Sequence, residues 1–169
     1  MALAFCNRRR ATAALLAMLA GLCMFATTGA TAQQVAATVN GEPITDSAVI
    51  QHIRLTELLA HRASTWQQAL DELIDGVVTL QTATQRRVAP TDAEVGAALD
   101  GMSRGLRSTT GQLEQTLAQE GISITALKLR LRFDLASQRI FAGARFGSLP
   151  APALQDLREL RRAATIEIK

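Results

Sequence analysis

The sequence predicts a mainly α-helical domain, a bundle of about six helices with a small β-sheet formed by an N-terminal hairpin and a C-terminal strand. Three observations predict it. Apolar residues recur at helical spacing through most of the chain after residue 45. Hydroxyl and acidic residues stand just before the periodic stretches, where helix N-caps belong. Short strand-like segments lie near Val35 and near Ile166, outside the helical stretches.

Taken in order, Val35-Ala36-Ala37-Thr38-Val39 is a short strand and Asn40-Gly41 the dipeptide that best tolerates the positive φ angles of a tight hairpin turn. Glu42-Pro43-Ile44 is the return strand, and Pro43, which cannot donate to a ladder, predicts an edge position. Thr45 or Asp46 caps a first helix running to about His61, and Ser64 or Thr65 starts a second that ends near Arg86, ahead of Pro90. The second carries the clearest stripe: Trp66, Leu70, Leu73, Ile74, Val77, Val78 and Leu80. Thr91 or Asp92 caps a third, with Val95, Leu99, Met102 and Leu106, and Thr110 to Glu120 forms a short fourth that stops at Gly121.

From Thr125 to about Phe146 the apolar residues partly alternate, a strand-like signal. Length and the absence of β-branched residues from Ala126 to Arg139 select a helix instead. Such a helix has Leu127, Leu131 and Leu135 on one side and Leu129, Phe133, Ala136 and Ile140 on the next, an apolar arc wide enough to touch neighbours in two directions. A last helix spans about Ala153 to Ala163 after Pro150 and Pro152, and Ala164 to Lys169 alternates like a half-buried strand. A lone strand is unstable in water, so the two ends of the domain are predicted to meet in one sheet.

Residues 1–32 have the build of a secretory signal: Arg8, Arg9 and Arg10, then an apolar stretch from Ala11 to Phe25, then Ala30-Thr31-Ala32. Small side chains at Ala30 and Ala32 place cleavage before Gln33, which leaves residues 33–169 as a single domain. The apolar stretch falls short of the ~20 residues of a bilayer span, which disfavours a retained anchor and leaves no stable membrane insertion after cleavage. Leu22 ahead of Cys23 disfavours lipid attachment, and no hydrophobic residue follows the arginine pairs as a twin-arginine route expects. With the signal go Cys6, Cys23 and the three arginines that account for the formal net charge of +3. The remainder is balanced, so the charge gives no argument for nucleic acid.

A search for catalytic or metal-binding groups returns little. His52 and His61 do not share a helical face, and neither is paired into a ligand set, so no metal is expected. Asp71, Glu72 and Asp75 read as a solvated helix face. Gly96, Gly101, Gly105 and Gly111 form no phosphate loop and read as sites of bending or close helix contact. Arg86-Arg87, Arg130-Arg132 and Arg158-Arg161-Arg162 are interleaved with acids and read as solubility and ion pairing. No catalytic residue and no cofactor is expected.

Several segments together resemble the SurA-like periplasmic chaperones. VAATVNGEPIT, from Val35 to Thr45, looks like the strand-turn-strand that opens such proteins. Ala69 to Leu99 resembles the family's second helix, turn and third helix, Gln112 to Arg132 its short helix, Gly break and long helix, and Ala153 to Lys169 its final helix and strand. Two departures stand out. Family members usually carry one or two parvulin isomerase domains between the long helix and the C-terminal piece, where this chain has only Gly147 to Pro152. Arg87 occupies a turn position where a small residue, often Gly, is common.

The resemblance implies a periplasmic chaperone, free of ATP and cofactor, whose partners are unfolded or partly folded exported proteins. An apolar groove beside the long helix is the expected client surface, with Met102, Leu129, Phe133, Ile140 and Phe141 as its candidate lining. Ordinary core packing is the competing reading of each. Two further readings stay open: a peptidyl-prolyl isomerase relative, against which the absent domain argues, and an envelope assembly or adaptor subunit for one exported partner.

Overall fold

Asn40 and Gly41, at φ of 51° and 84°, fold β1 (Val35–Val39) back onto β2 (Glu42–Thr45). Across the other side of β1 lies β3 (Ile166–Ile168), antiparallel, with Ala37 opposite Ile168 and Val39 opposite Ile166. The strand order β2-β1-β3 puts the Pro43 strand at an edge and joins the two ends of the domain, as the sequence predicts. Asn40 secures this closure. Its backbone N–H donates to the Thr165 carbonyl, its side-chain oxygen accepts from the Thr165 N–H at 2.8 Å, and its amide donates to Gln81 at 2.7 Å. This is a computed structural model, and it describes residues Gln33 to Lys169. The expected signal segment, with Ala30 and Ala32, lies outside the described residues, and Gln33 is the first of them.

Six helices follow among the described residues: α1 (Asp46–Ala60), α2 (Trp66–Gln85), α3 (Asp92–Gly105), α4 (Thr110–Gln119), α5 (Ile124–Ile140) and α6 (Ala151–Ala163). Hydroxyl side chains of Thr45, Thr65, Thr91, Thr109 and Ser123 accept from the third helical N–H of α1 to α5 in turn, satisfying a donor that a helix start leaves unpaired. On α3 the Glu94 carboxylate also accepts from the Thr91 N–H and hydroxyl and pairs with Arg139 of α5. These contacts hold its pKa down to about 2. Pro150 is the N-cap of α6 and Pro152 lies in its first turn, where a missing N–H costs nothing. The helix therefore begins two residues before the expected Ala153.

The helix ends share one device. After α2, α3, α4 and α5 a residue with positive φ (Arg87, Arg107, Gly121, Ala142) lets the next N–H reach back to the carbonyl five residues earlier, as Val88 reaches Ala83 at 2.8 Å. Only Gly121 is a glycine, the stop the sequence predicts. Ala142 at φ 49° ends α5 six residues before the expected Phe146, because the Gly143 N–H already bonds the Gln138 carbonyl at 2.7 Å.

Residues Gln33–Lys169 form one compact unit built around α2, which packs against α1, α5, α6 and β1. Gly76 makes the α2–α5 approach possible. A Cβ there would lie 2.8 Å from Cγ of Phe133 and closer still to two other ring carbons. The four glycines that sequence patterning suggests as close-contact sites, Gly96, Gly101, Gly105 and Gly111, have only open space around their Cα atoms. The two apolar sides of α5 do reach two clusters: Leu129 and Phe133 join the core under the sheet, while Leu127 and Leu131 join Leu55, Leu99, Leu113 and Leu117. Asp71 and Asp75 are not a solvated face. Both accept from Arg161, at 2.5 and 3.0 Å, and clamp α6 onto α2.

Two substitutions test this account. Gly76→Ala raises helix propensity by about 1 kcal/mol yet overfills the α2–α5 contact, so a net loss of about 1–3 kcal/mol is expected in urea unfolding. Arg87→Gly relieves a left-handed residue at the end of α2, and a gain of about 0.5–1 kcal/mol is expected from the same measurement.

Candidate functional site

The consecutive turns of α1 present one face across the bundle, Ala48, His52, Thr56 and Ala60, with Gln51, Leu55 and Leu59 beside them. Two clefts open along that face, between α1 and α5. The first, about 190 Å³, is walled by Ala48 and Gln51 on one side and Ala126 and Leu129 on the other, with Leu73 and Phe133 at its floor. Its lining is mostly apolar. Gln51 fixes the far wall, since its amide donates to the Gly121 carbonyl at 2.9 Å and its oxygen accepts from the Ser123 N–H at 2.7 Å. The turn that starts α5 is thus tied to α1. A second cleft, about 360 Å³ and more polar, lies further along α1, with Leu55, Leu59, Met102, Leu131 and Asp134 in its lining.

A polar ridge divides them. His52 is buried, and its Nε2–H donates to Glu72 Oε2 at 2.8 Å; Arg62 donates to the other Glu72 oxygen at 2.9 Å. Arg130, which lines both clefts, approaches Glu72 and Asp134, each at 3.9 Å. The hydrogen bond with His52 holds the Glu72 carboxyl below its ordinary 4.5, against the burial that pushes it up, and the Arg130 and Arg62 charges add to the lowering. Burial instead raises Asp134 above its ordinary value, with Arg130 pulling the other way. A half-buried carboxylate shared by three cationic or donor groups is a structural brace. Among the described residues no cluster of three or more His, Cys, Asp or Glu could hold a metal ion.

The five residues expected to line one groove do not come together. Leu129 walls the first cleft and Met102 the second. Phe133 shows only 1 % of its surface and serves as the first cleft's floor from within the core. Ile140 and Phe141 line a third concavity, about 460 Å³, between the end of α5 and the start of α6. The single groove resolves into three separate concavities because α5 turns a different side to each neighbour. Sequence reasoning missed His52 and Glu72, whose approach links positions 20 residues apart, and Phe146, which packs on Phe133 with ring centroids 5.3 Å apart.

Because the pKa of Glu72 is lowered in the fold, its contribution to stability is present above the unfolded value and disappears as pH falls through the folded one. Wild type is therefore expected to exceed Glu72→Gln in stability at pH 7, with the gap narrowing as pH falls below the unfolded carboxyl's 4.5 and through the lower folded value. Paired urea titrations at pH 7 and pH 3 read this difference directly.

No helix among the described residues is long and apolar enough to cross a membrane. No curated protein matches the chain. The model of the SurA-like N-terminal domain family matches residues 7–141, with no match to an isomerase domain. That match ends at Phe141, where α5 ends, so α6 and β3 lie beyond it. Its extent covers most of the chain, including β1, β2 and α1 to α5, and on that basis the chain belongs to the SurA-like N-terminal domain family.

Proposed function

We propose that the protein is a holding chaperone of the periplasm. On this reading it binds exposed apolar segments of unfolded exported proteins, outer-membrane proteins among them, and uses no ATP. The observation that carries the reading is the first cleft: an open, mostly apolar concavity between α1 and α5, in a chain of the SurA-like family.

Its size favours side chains over small molecules. At about 190 Å³ it is below the ~300–1,000 Å³ of typical ligand pockets, and it accepts one or two client side chains. Burial of each is worth about 1.5–3 kcal/mol, so one or two side chains set binding between tens of millimolar and tens of micromolar per site. Affinities of that order let a client leave by itself, as a compartment without ATP requires, while the neighbouring second cleft adds reach for a longer segment. Both clefts have firm walls: the Gln51 clamp ties α1 to the turn that starts α5, and the His52–Glu72 bond ties α1 to α2, so little ordering is needed on binding.

The purified domain is expected to suppress aggregation of a urea-unfolded outer-membrane β-barrel protein on dilution. Leu129→Lys, which puts a charge into the first cleft, is expected to weaken client binding by about tenfold, the equivalent of one lost apolar side chain. Leu154→Lys, on the outer surface of α6 and away from the clefts, serves as the control and should bind like wild type. Failure of the wild-type protein to slow aggregation at any stoichiometry refutes the proposal.

A further inference from the structure

The connection from α5 to α6 lies between the second and third clefts, and its main anchor in the core under the sheet is one side chain. Residues Ala142 to Leu149 leave α5 through two positive-φ residues, Ala142 and Gly143, and turn again at Gly147, φ 78°. Their backbone hydrogen bonds are local, Gly143 to Gln138, Ala144 to Phe141 and Ser148 to Arg145. Ala142, Gly143, Arg145, Gly147 and Ser148 are exposed. Ala144 and Leu149 are half-buried against the cluster of Phe141, Ala153 and Leu157, and Phe146 is the strap's one fully buried side chain. It is 95 % buried, its ring tilted against Phe133 on one side and under the Arg130 guanidinium, 4.9 Å from the ring centre, on the other. Arg130 also donates to the Phe146 carbonyl at 3.2 Å, and the Phe146 N–H faces the Asp134 carboxylate. Gly147 lets the strap pass this close: a Cβ there would meet Arg130 at 3.0 Å.

We infer that Phe146 is an internal stand-in for client, occupying a slot for a large apolar side chain built by Phe133, Arg130 and Asp134, and that the strap swings out when a client side chain takes its place. This rests on the chaperone reading and deepens it. The slot has the parts of a side-chain receptor, namely an apolar floor, a cation over the ring face and a donor that holds the occupant's carbonyl. Gly147 also lines the second cleft and Ala142, Gly143 and Ser148 line the third. Withdrawal of Phe146 therefore opens space where the strap now separates two concavities, and the core helices need not move. With the strap closed, clients compete against a tethered residue, and their apparent affinity is reduced by the fraction of molecules that are open.

The test uses the whole described domain, an unfolded outer-membrane β-barrel protein as probe, and two variants. Phe146→Ala removes the occupant, and Asp134→Ala removes the carboxylate beside the strap backbone while leaving both rings and the Arg130 contacts in place. Each is expected to bind the probe about tenfold more tightly than wild type. In wild type, probe addition is expected to speed amide exchange across residues 144–148 while α2 stays protected. If Phe146→Ala fails to fold, Asp134→Ala and the exchange measurement decide alone. Probe binding that leaves exchange in the strap unchanged or slower, with neither folded variant binding tighter, overturns the slot and leaves the chaperone reading intact. Absence of probe binding by wild type and variants alike overturns both.

Discussion

The closeness of α2 to α5 depends on the missing side chain at Gly76. The Phe133 ring fills the space a Cβ would need, and from that contact the rest of the arrangement follows. With α5 pressed to α2, its Leu129 and Phe133 side joins the core beneath the sheet while Leu127 and Leu131 turn toward α3 and α4. α1 then packs on α2 and α5 with its face only partly covered, and the clefts are what remains uncovered. The surface assigned to clients is therefore a by-product of one tight helix contact, which explains how a rigid core and an accessible apolar surface coexist a few ångströms apart.

Between the clefts the protein has spent polar groups where an all-apolar wall was possible. His52, Glu72, Arg62 and Arg130 are mutually satisfied, so the ridge avoids the cost of an orphaned buried charge. It also interrupts what would otherwise be one continuous trench, apolar at one end and more polar at the other. A continuous trench of that kind invites self-association. The divided version leaves each opening too small for a neighbouring helix and large enough for side chains, a geometry suited to transient contacts.

Much of the fold was legible from the letters, for local reasons. Asn40-Gly41 needs no tertiary context to make a hairpin, Thr65 with Gln68 and Thr91 with Glu94 make reciprocal caps within four residues, and an unpaired alternating tail has few places to go. The long-range features were hidden in proportion to their sequence separation. Gly76 looks like an ordinary mid-helix glycine until Phe133 is known to face it. The end of α5 was overshot because an alanine, Ala142, takes the left-handed conformation where glycine is the usual signal. The apolar candidates Met102, Leu129, Phe133, Ile140 and Phe141 share one chemistry, and whether each faces core or solvent depends on helix crossings that no spacing encodes. Asp71 and Asp75, read as solvated, are claimed by Arg161 some 86–90 positions later.

Placing β3 against β1 has a consequence for the order of folding. The central strand of the sheet precedes the six helices of the described residues and its second partner follows them, so these helices must be made before the ladder from Ala37 to Ile168 can form. Until then β1 has an open edge, and an open edge is a template for mispairing. The bundle thus has to assemble around an incomplete seam, and the slow, non-local step of its folding falls at the finish. The chain passes through an exposed, half-paired state that ends only when β3 arrives.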